Sequence, residues 1–319
     1  MSRIPALHIC NTFFENELDS GSKRPLIAWM RSHAVVRQLQ TLPLLYAPHE
    51  DMVLVSDLPQ NPDPRLRLLD APLPTGRSTG TIECWGASKA IAAWAEEKGI
   101  PYSMPDWNTV QTVNSKTFSF SHSPTLPLAS LLYNEKETLL WLEKTPGKKV
   151  LKTPFGTAGR GLFHVPGPGN LPVFLKREFG KGHPLIGEPW VERTLDFSTQ
   201  WKNGTLLGAT IFENAPNGSY RATLAGPNIF GPYEWALEEH LAIVRPLLEK
   251  IEKLGFFGHL GIDAYIYLWE GKETLQPVVE INGRKTMSWA ALSIQKLKSP
   301  NQPLRFSFSP ELGITLAMG

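Results

Sequence analysis

The chain has 319 residues, of which 42% are hydrophobic and 19% charged. That length suggests two or three compact units at about 100–200 residues each, and the hydrophobic fraction excludes wholesale disorder. Thirty-two Lys and Arg against thirty Asp and Glu leave a net charge of +2, which gives no electrostatic footprint for nucleic acid or an anionic membrane, so neither is expected as a partner.

In chain order, residues 1–19 hold a short apolar patch broken by His8 and followed by Glu15, Glu17 and Asp19, unlike a signal peptide. No apolar run approaches the ~18 residues that suggest a membrane span. Two cysteines, Cys10 and Cys84, are too few for a disulfide framework and fit a reducing compartment, so a cytoplasmic location is expected. Prolines crowd the stretch from Pro43 to Pro74, which reads as loop around one strand, MVLVSD at 52–57. Residues 87–98, ASKAIAAWAEEK, read as a helix with Ala90, Ile91, Trp94 and Ala95 on one face and Gly99 at its end. A boundary is placed near residue 112, giving an irregular α/β unit over 1–112.

Beyond it the pattern sharpens. Asn134 and Glu137 form an approximate capping box for a helix, EKETLLWLEK, ended by Pro146-Gly147. KKVLKTP and LFHVP read as strands on either side of a glycine-rich stretch, FGTAGRG. Asn203-Gly204 sits between two strand-like runs and signals a two-residue hairpin. A long helix over 234–255 places Trp235, Leu241, Val244, Leu248 and Ile251 on its apolar side, with Glu238, Glu239 and His240 assigned to a solvated face. Pro246 is expected to kink it. The last unit, GIDAYIYLWEGKETLQPVVEIN, reads as two strands joined at 270–273. The mixture predicts α+β architecture with antiparallel hairpins and covering helices.

That last hairpin carries the chemistry. With its turn centred on Gly271-Lys272, Asp263 faces Glu280, and side-chain alternation puts Asn282 and Arg284 on the same side. Opposed carboxylates repel unless a cation lies between them, and two carboxylates with an amide oxygen are hard ligands suited to Mg²⁺. A one-residue slip or a bulge at Pro277 would alter the register. In the glycine-rich stretch, Gly156, Gly159 and Gly161 allow backbone N–H groups to approach an anion, with Lys152 before them and Arg160 among them. No GK[ST] follows, so this is not a P-loop, and a plain flexible hairpin tip is an equal reading of these glycines alone.

Together these segments resemble the ATP-grasp superfamily, in its carboxylate-amine ligase-like branch. The carriers are NSK at 114–116, VLKTPFGTAGRG at 150–161, IGEPWVERTLDFS at 186–198, GHLGIDAYIY at 258–267 and VVEINGR at 278–284. The resemblance implies two α+β subdomains, over 113–187 and 188–319, clasping ATP behind the N-terminal unit. It implies Lys116 and Lys152 on the phosphates, with Gly156, Gly159, Arg160 and Gly161 covering them. Glu188, Pro189, Trp190 and Val191 would form the adenine hinge, and Asp196 would hold the ribose. Asp263, Glu280 and Asn282 match metal ligands, and Arg284 matches a charge-stabilising arginine. The implied cofactors are ATP and Mg²⁺, with Mn²⁺ as a substitute. The implied reaction joins a small-molecule carboxylate, of the amino-acid or peptide class, to an amine through an acyl phosphate. The alternatives are a phosphotransferase that stops at phosphate transfer and a non-catalytic nucleotide-binding module.

The sequence departs from the pattern in places. Ser115 replaces a frequent aspartate, and a short gap from Lys116 to Pro124 trims an expected helix. Gly261 stands where some relatives carry arginine, and Arg221 or His259 is the candidate for a compensating catalytic charge. Trp29, Arg31 and His33 form a patch that suits either a substrate cleft or a structural cluster, and Arg193 either the nucleotide or substrate or a surface ion pair. Nothing in the sequence sets the oligomeric state.

Overall fold

The computed structural model describes residues 4–21, 23–72, 80–156, 161–215 and 220–318. The first sheet is parallel, in the order β3-β2-β1-β4. It comprises β1 (Leu7–Ile9), β2 (Met52–Val55), β3 (Leu66–Leu68) and β4 (Ile82–Cys84). Its central strands are buried on both faces, which is why MVLV reads as a continuous apolar run. Helices α1 (Phe14–Ser20), α2 (Leu26–Met30), α3 (Ala34–Leu39) and α4 (Lys89–Glu97) accompany it. The α4 face expected from the sequence, Ala90, Ile91, Trp94 and Ala95, is buried in a core with Ile9, Phe13, Trp29 and Leu54. Ser88 caps this helix at Ile91 N, and Gly99 follows it at φ 65°.

Helices α5 (Trp107–Asn114) and α6 (Lys116–His122) come next, so the boundary drawn near residue 112 falls inside α5. The Asn114 side chain accepts a 2.7 Å hydrogen bond from Gly283 N, tying α5 to the chain just past the last hairpin. The second sheet holds β5 (Ser130–Leu132), β6 (Lys149–Lys152), β7 (Leu162–Val165) and β8 (Leu185–Pro189), in the antiparallel order β5-β8-β6-β7. Helices α7 (Glu135–Lys144) and α8 (Leu171–Phe179) pack with it around Trp141, Leu151, Phe174 and Leu175. Asn134 Oδ1 caps α7 at Glu137 N, 2.9 Å, and the Glu137 carboxylate reaches back to Tyr133 N.

The third sheet is antiparallel, in the order β13-β12-β9-β10-β11-β14-β15. Its strands are β9 (Arg193–Lys202), β10 (Thr205–Asn214), β11 (Tyr220–Ala225), β12 (His259–Trp269), β13 (Lys272–Asn282), β14 (Leu304–Ser309) and β15 (Gly313–Met318). Asn203 and Gly204 turn between β9 and β10 at φ 48° and 71°, the left-handed pair that an Asn-Gly hairpin needs. Helix α9 (Glu234–Lys253) covers one face of this sheet and runs on through Pro246. Helix α10 (Met287–Lys298) covers part of the other. No described helix is long and apolar enough to cross a membrane.

Two expectations about these elements are corrected. Trp235 is 38% exposed, while Ala236 and His240 take the buried side of α9. His240 is wholly buried. Its Nδ1–H donates to the Pro277 carbonyl at 2.7 Å, and Nε2 accepts from the Thr199 hydroxyl at 2.7 Å. Burial lowers its pKa to about 4, so it stays neutral. The hairpin turn, second, is Glu270-Gly271 at φ 50° and 77°, one residue earlier than expected. Pairing runs from Trp269↔Lys272 to Tyr265↔Gln276, then resumes at Asp263↔Glu280. One residue on β12, Ala264, thus lies opposite three on β13, 277–279. Two extra residues preserve alternation, so the expected Asp263–Glu280 pair forms although the turn lies elsewhere.

Candidate active site

The functional face of the third sheet follows from its register. Asp263 lies beside Glu280 on one side and Ser198 on the other, and Asp196 lies opposite Phe212. Alternation therefore puts Asp196, Ser198, Phe212, Asp263, Glu280 and Asn282 on one face. Helix α9 holds Thr199, of opposite parity, on the other face. A cavity of about 410 Å³ opens on the first face. Lys116, Lys152, Gly156, Trp190, Asp196, Asp263, Glu280, Asn282 and Arg284 all line it. The structure thus brings nine of the sequence-derived candidates to one space.

Lys116, at the start of α6, bridges two of them. Its ammonium lies 2.9 Å from Glu280 Oε2 and donates to the Gly156 carbonyl at 2.9 Å. Burial would lower this lysine, but Glu280 outweighs burial and raises it. Burial likewise acts to raise Glu280, and Lys116, Arg284 and Lys152 together hold its carboxyl below the usual range. Asp263 goes the other way. Burial first, and the Glu280 charge second, push it upward. Its Oδ1 accepts from the Ser198 hydroxyl at 2.6 Å and its Oδ2 from the Asn282 amide at 3.0 Å.

A carboxylate forced upward by burial and a facing carboxylate favours a cation beside it. Among the described residues no three His, Cys, Asp or Glu side chains converge on one point. Two carboxylates and an amide are hard oxygen donors of the kind that would fit Mg²⁺ if phosphate supplied further ligands.

The remaining candidates divide. Lys152 Nζ lies 2.5 Å from Glu188 Oε2, and both line a small recess beside the cavity together with Lys116. Pro189 pairs with Lys149 in the second sheet, and Val191 packs against the Tyr265–Tyr267 cluster; neither lines the cavity. Gly161 lines a second recess that shares Gly156 with the cavity. Gly159 and Arg160 lie outside the described residues. Arg221 is exposed and away from the cavity lining, where its charge bears on Glu213. His259 is half-buried against Trp289, and desolvation with Lys285 and Lys202 lowers its pKa to about 3, so it carries no charge. Burial pushes both Cys10 and Cys84 thiols upward, so neither is activated as a nucleophile. Trp29 stacks on Phe13, Arg31 pairs with Asp57 at the surface, and neither they nor His33 line the cavity.

Arg193, open to two readings in the sequence, lines the cavity. It stacks on Tyr265 and holds Asp196 at 2.9 Å, while burial still raises that carboxyl. Other contributors went unrecognised in the sequence. Phe212, Tyr220, Thr286, Met287 and Ser288 also line the cavity. Glu15, from α1, lies 2.6 Å from Arg284 Nε. Counting alternation onward from Asp196 would have found Ser198 and Gln200; nothing local points to Glu15.

No protein-family model and no curated protein matches the sequence. Solved structures do match. An N5-carboxyaminoimidazole ribonucleotide synthetase from Thermus thermophilus superposes with a TM-score of 0.53 at 18% identity, over 85% of this chain and 80% of that one. An N5-carboxyaminoimidazole synthetase from Staphylococcus aureus, solved with ADP, gives 0.53 at 13% identity over 85% and 80%. An L-amino acid ligase from Bacillus licheniformis gives 0.52 at 14% identity over 97% and 80%. The chain has the fold shared by these enzymes, the ATP-grasp fold, with the cavity just described on the face of its large sheet.

Proposed function

We propose that the protein is an ATP- and Mg²⁺-dependent ligase that joins the carboxylate of an amino acid or peptide to an amine. The observation that carries this reading is the meeting of Asp263, Glu280, Lys116, Lys152 and Arg284 in one cavity. Lys116 and Lys152 would hold the phosphate chain, with Gly156 beside it and Trp190 and Asp196 toward the nucleoside end. Asp263, Glu280 and Asn282 would hold the metal ion, which would supply charge neutralisation for the phosphate chain. Arg284 would face charge on the transferring phosphoryl group, an electrostatic task with little covalent demand. The substrate carboxylate attacks the γ-phosphorus and leaves ADP, and the amine then displaces phosphate from the acyl phosphate. A carboxylate is a poor acyl donor at neutral pH and an acyl phosphate a good one, which is the reason to couple the two steps. The 113–187 and 188–319 segments would act as the two jaws, with ATP in place in a cytoplasmic setting and Mn²⁺ able to stand in for Mg²⁺.

The test is incubation with ATP, Mg²⁺ and pooled amino acids, scoring phosphate release and new masses. An amide product that Asp263→Ala and Glu280→Ala both abolish is the expected result. Phosphorylated substrate without amide would make the protein a phosphotransferase, and nucleotide binding without any cleavage would make it a binding module.

A further inference from the structure

Gly261 has no side chain, and the structure shows what that makes room for. A Cβ at this position would lie 2.7 Å from Thr286 Cγ2 and 3.2 Å from Gln200 Oε1. In the space it leaves, three polar side chains meet end to end. The Thr286 hydroxyl donates to Gln200 Oε1 at 2.8 Å. The Gln200 amide donates to Ser198 Oγ at 2.8 Å. The Ser198 hydroxyl donates to Asp263 Oδ1 at 2.6 Å. Ser198 and Gln200 are fully buried and Thr286 nearly so.

We propose that Thr286, Gln200 and Ser198 are positioning residues that lock Asp263 to the first turn of α10. The proposal rests on the reading of Asp263 as a metal ligand. All three donors point the same way, toward the carboxylate, and hydrogen bonds aligned in sequence polarise one another in a buried setting. Asp263 is thereby left with one oriented lone-pair direction per oxygen, because Asn282 occupies the other oxygen. At the far end, Thr286 Oγ1 also caps α10 by accepting from Trp289 N at 3.1 Å. Thr286, Met287 and Ser288 line the cavity. Anything that shifts this turn therefore pulls on the metal carboxylate without touching the metal. Residues that orient a metal ligand typically change metal affinity by about 10–100-fold when removed.

The experiment titrates Mn²⁺ into the full chain with saturating ADP, reading free Mn²⁺ by electron paramagnetic resonance, with ADP binding in metal-free buffer measured alongside. Ser198→Ala and Thr286→Val are each expected to weaken Mn²⁺ binding about tenfold, and Ser198→Ala, at a residue that does not line the cavity, is expected to leave metal-free ADP binding unchanged. Thr286→Ser keeps both hydroxyl bonds and should behave as the parent. In the Ser198→Ala background, Thr286→Val should add little, because the link is already cut. Gln200→Leu and Gly261→Ala should act in the same direction; since Gln200→Leu strands buried partners and can unfold the protein, the decision rests on the two smaller changes. Unchanged Mn²⁺ affinity in folded Ser198→Ala and Thr286→Val, or fully additive losses in the double variant, would overturn the relay. Absence of Mn²⁺ binding by the parent chain would instead overturn the metal reading, and the relay with it.

Discussion

Lys116 shows how a single residue acquires its role. It donates to Gly156 at the edge of the glycine-rich segment and neutralises Glu280 at the proposed metal end, so it ties together two ends of the cavity. Replacing it by Met should lower kcat/KM by about 10²–10³, the range found when one preorganised charge-stabilising donor is lost; an ATP-cleavage assay reads this directly, and a loss below about threefold would contradict the assigned role. His240 is legible in the opposite sense. Its place on a charged stretch of sequence suggests water, but the fold holds it neutral down to about pH 4 against an ordinary 6.5. The unfolded chain takes up the proton first as the pH falls, so the stability that His240 supplies is complete above pH 6.5 and lost toward pH 4. At about 1.36 kcal/mol per unit, that loss approaches roughly 3 kcal/mol. Denaturant titrations of the parent and His240→Gln should show their difference shrinking by that order between pH 6.5 and 4. A difference that stays constant with pH would refute it.

At the scale of elements, the two hairpins of the large sheet make an instructive pair. Asn203-Gly204 announces its turn because asparagine and glycine both tolerate the left-handed conformation. Glu270-Gly271 adopts the same shape with a residue that does not, and so the turn lies one position from where the sequence suggests it. Glu270→Asn should therefore stabilise the protein by about 0.5 kcal/mol, seen as a higher denaturation midpoint at unchanged slope. Helix α7 follows its sequence closely, since a cap is a contact between near neighbours. Asn134→Ala should cost about 1 kcal/mol, measurable in the same titrations.

At the scale of the whole molecule, the N-terminal unit is joined to the cavity through charge. Arg284 lies against Glu15, and the next residue, Lys285, against Glu83 at 3.0 Å. Lys285 N also donates to the Trp85 carbonyl at 2.7 Å, and Gly86 forms a bridge with Arg284. Consecutive cations on the C-terminal segment are thus held by carboxylates from α1 and β4. The Lys285 side chain is only 3% exposed, so Glu83→Ala leaves a buried ammonium without its counter-charge. A loss of roughly 3 kcal/mol is expected, the lower end for breaking a buried pair because Glu83 itself is partly exposed. Thermal and denaturant unfolding both check it.

The sequence by itself specified several of the elements and the candidate ligand set. Helical periodicity, an Asn-Gly turn, a cap three residues from its partner and strict alternation along a strand are short-range constraints, and alternation survived the displaced turn because the bulge added an even number of residues. Only the tertiary structure decided how that ligand set is held. The bulge is pinned by His240 from a helix on the opposite face. The Gln200–Thr286 contact passes above a missing Cβ at Gly261. Arg284 is steadied by Glu15, which precedes it in the chain by 269 residues. Each of these joins groups that no local pattern relates, and they meet only after the sheets have packed and excluded water between them.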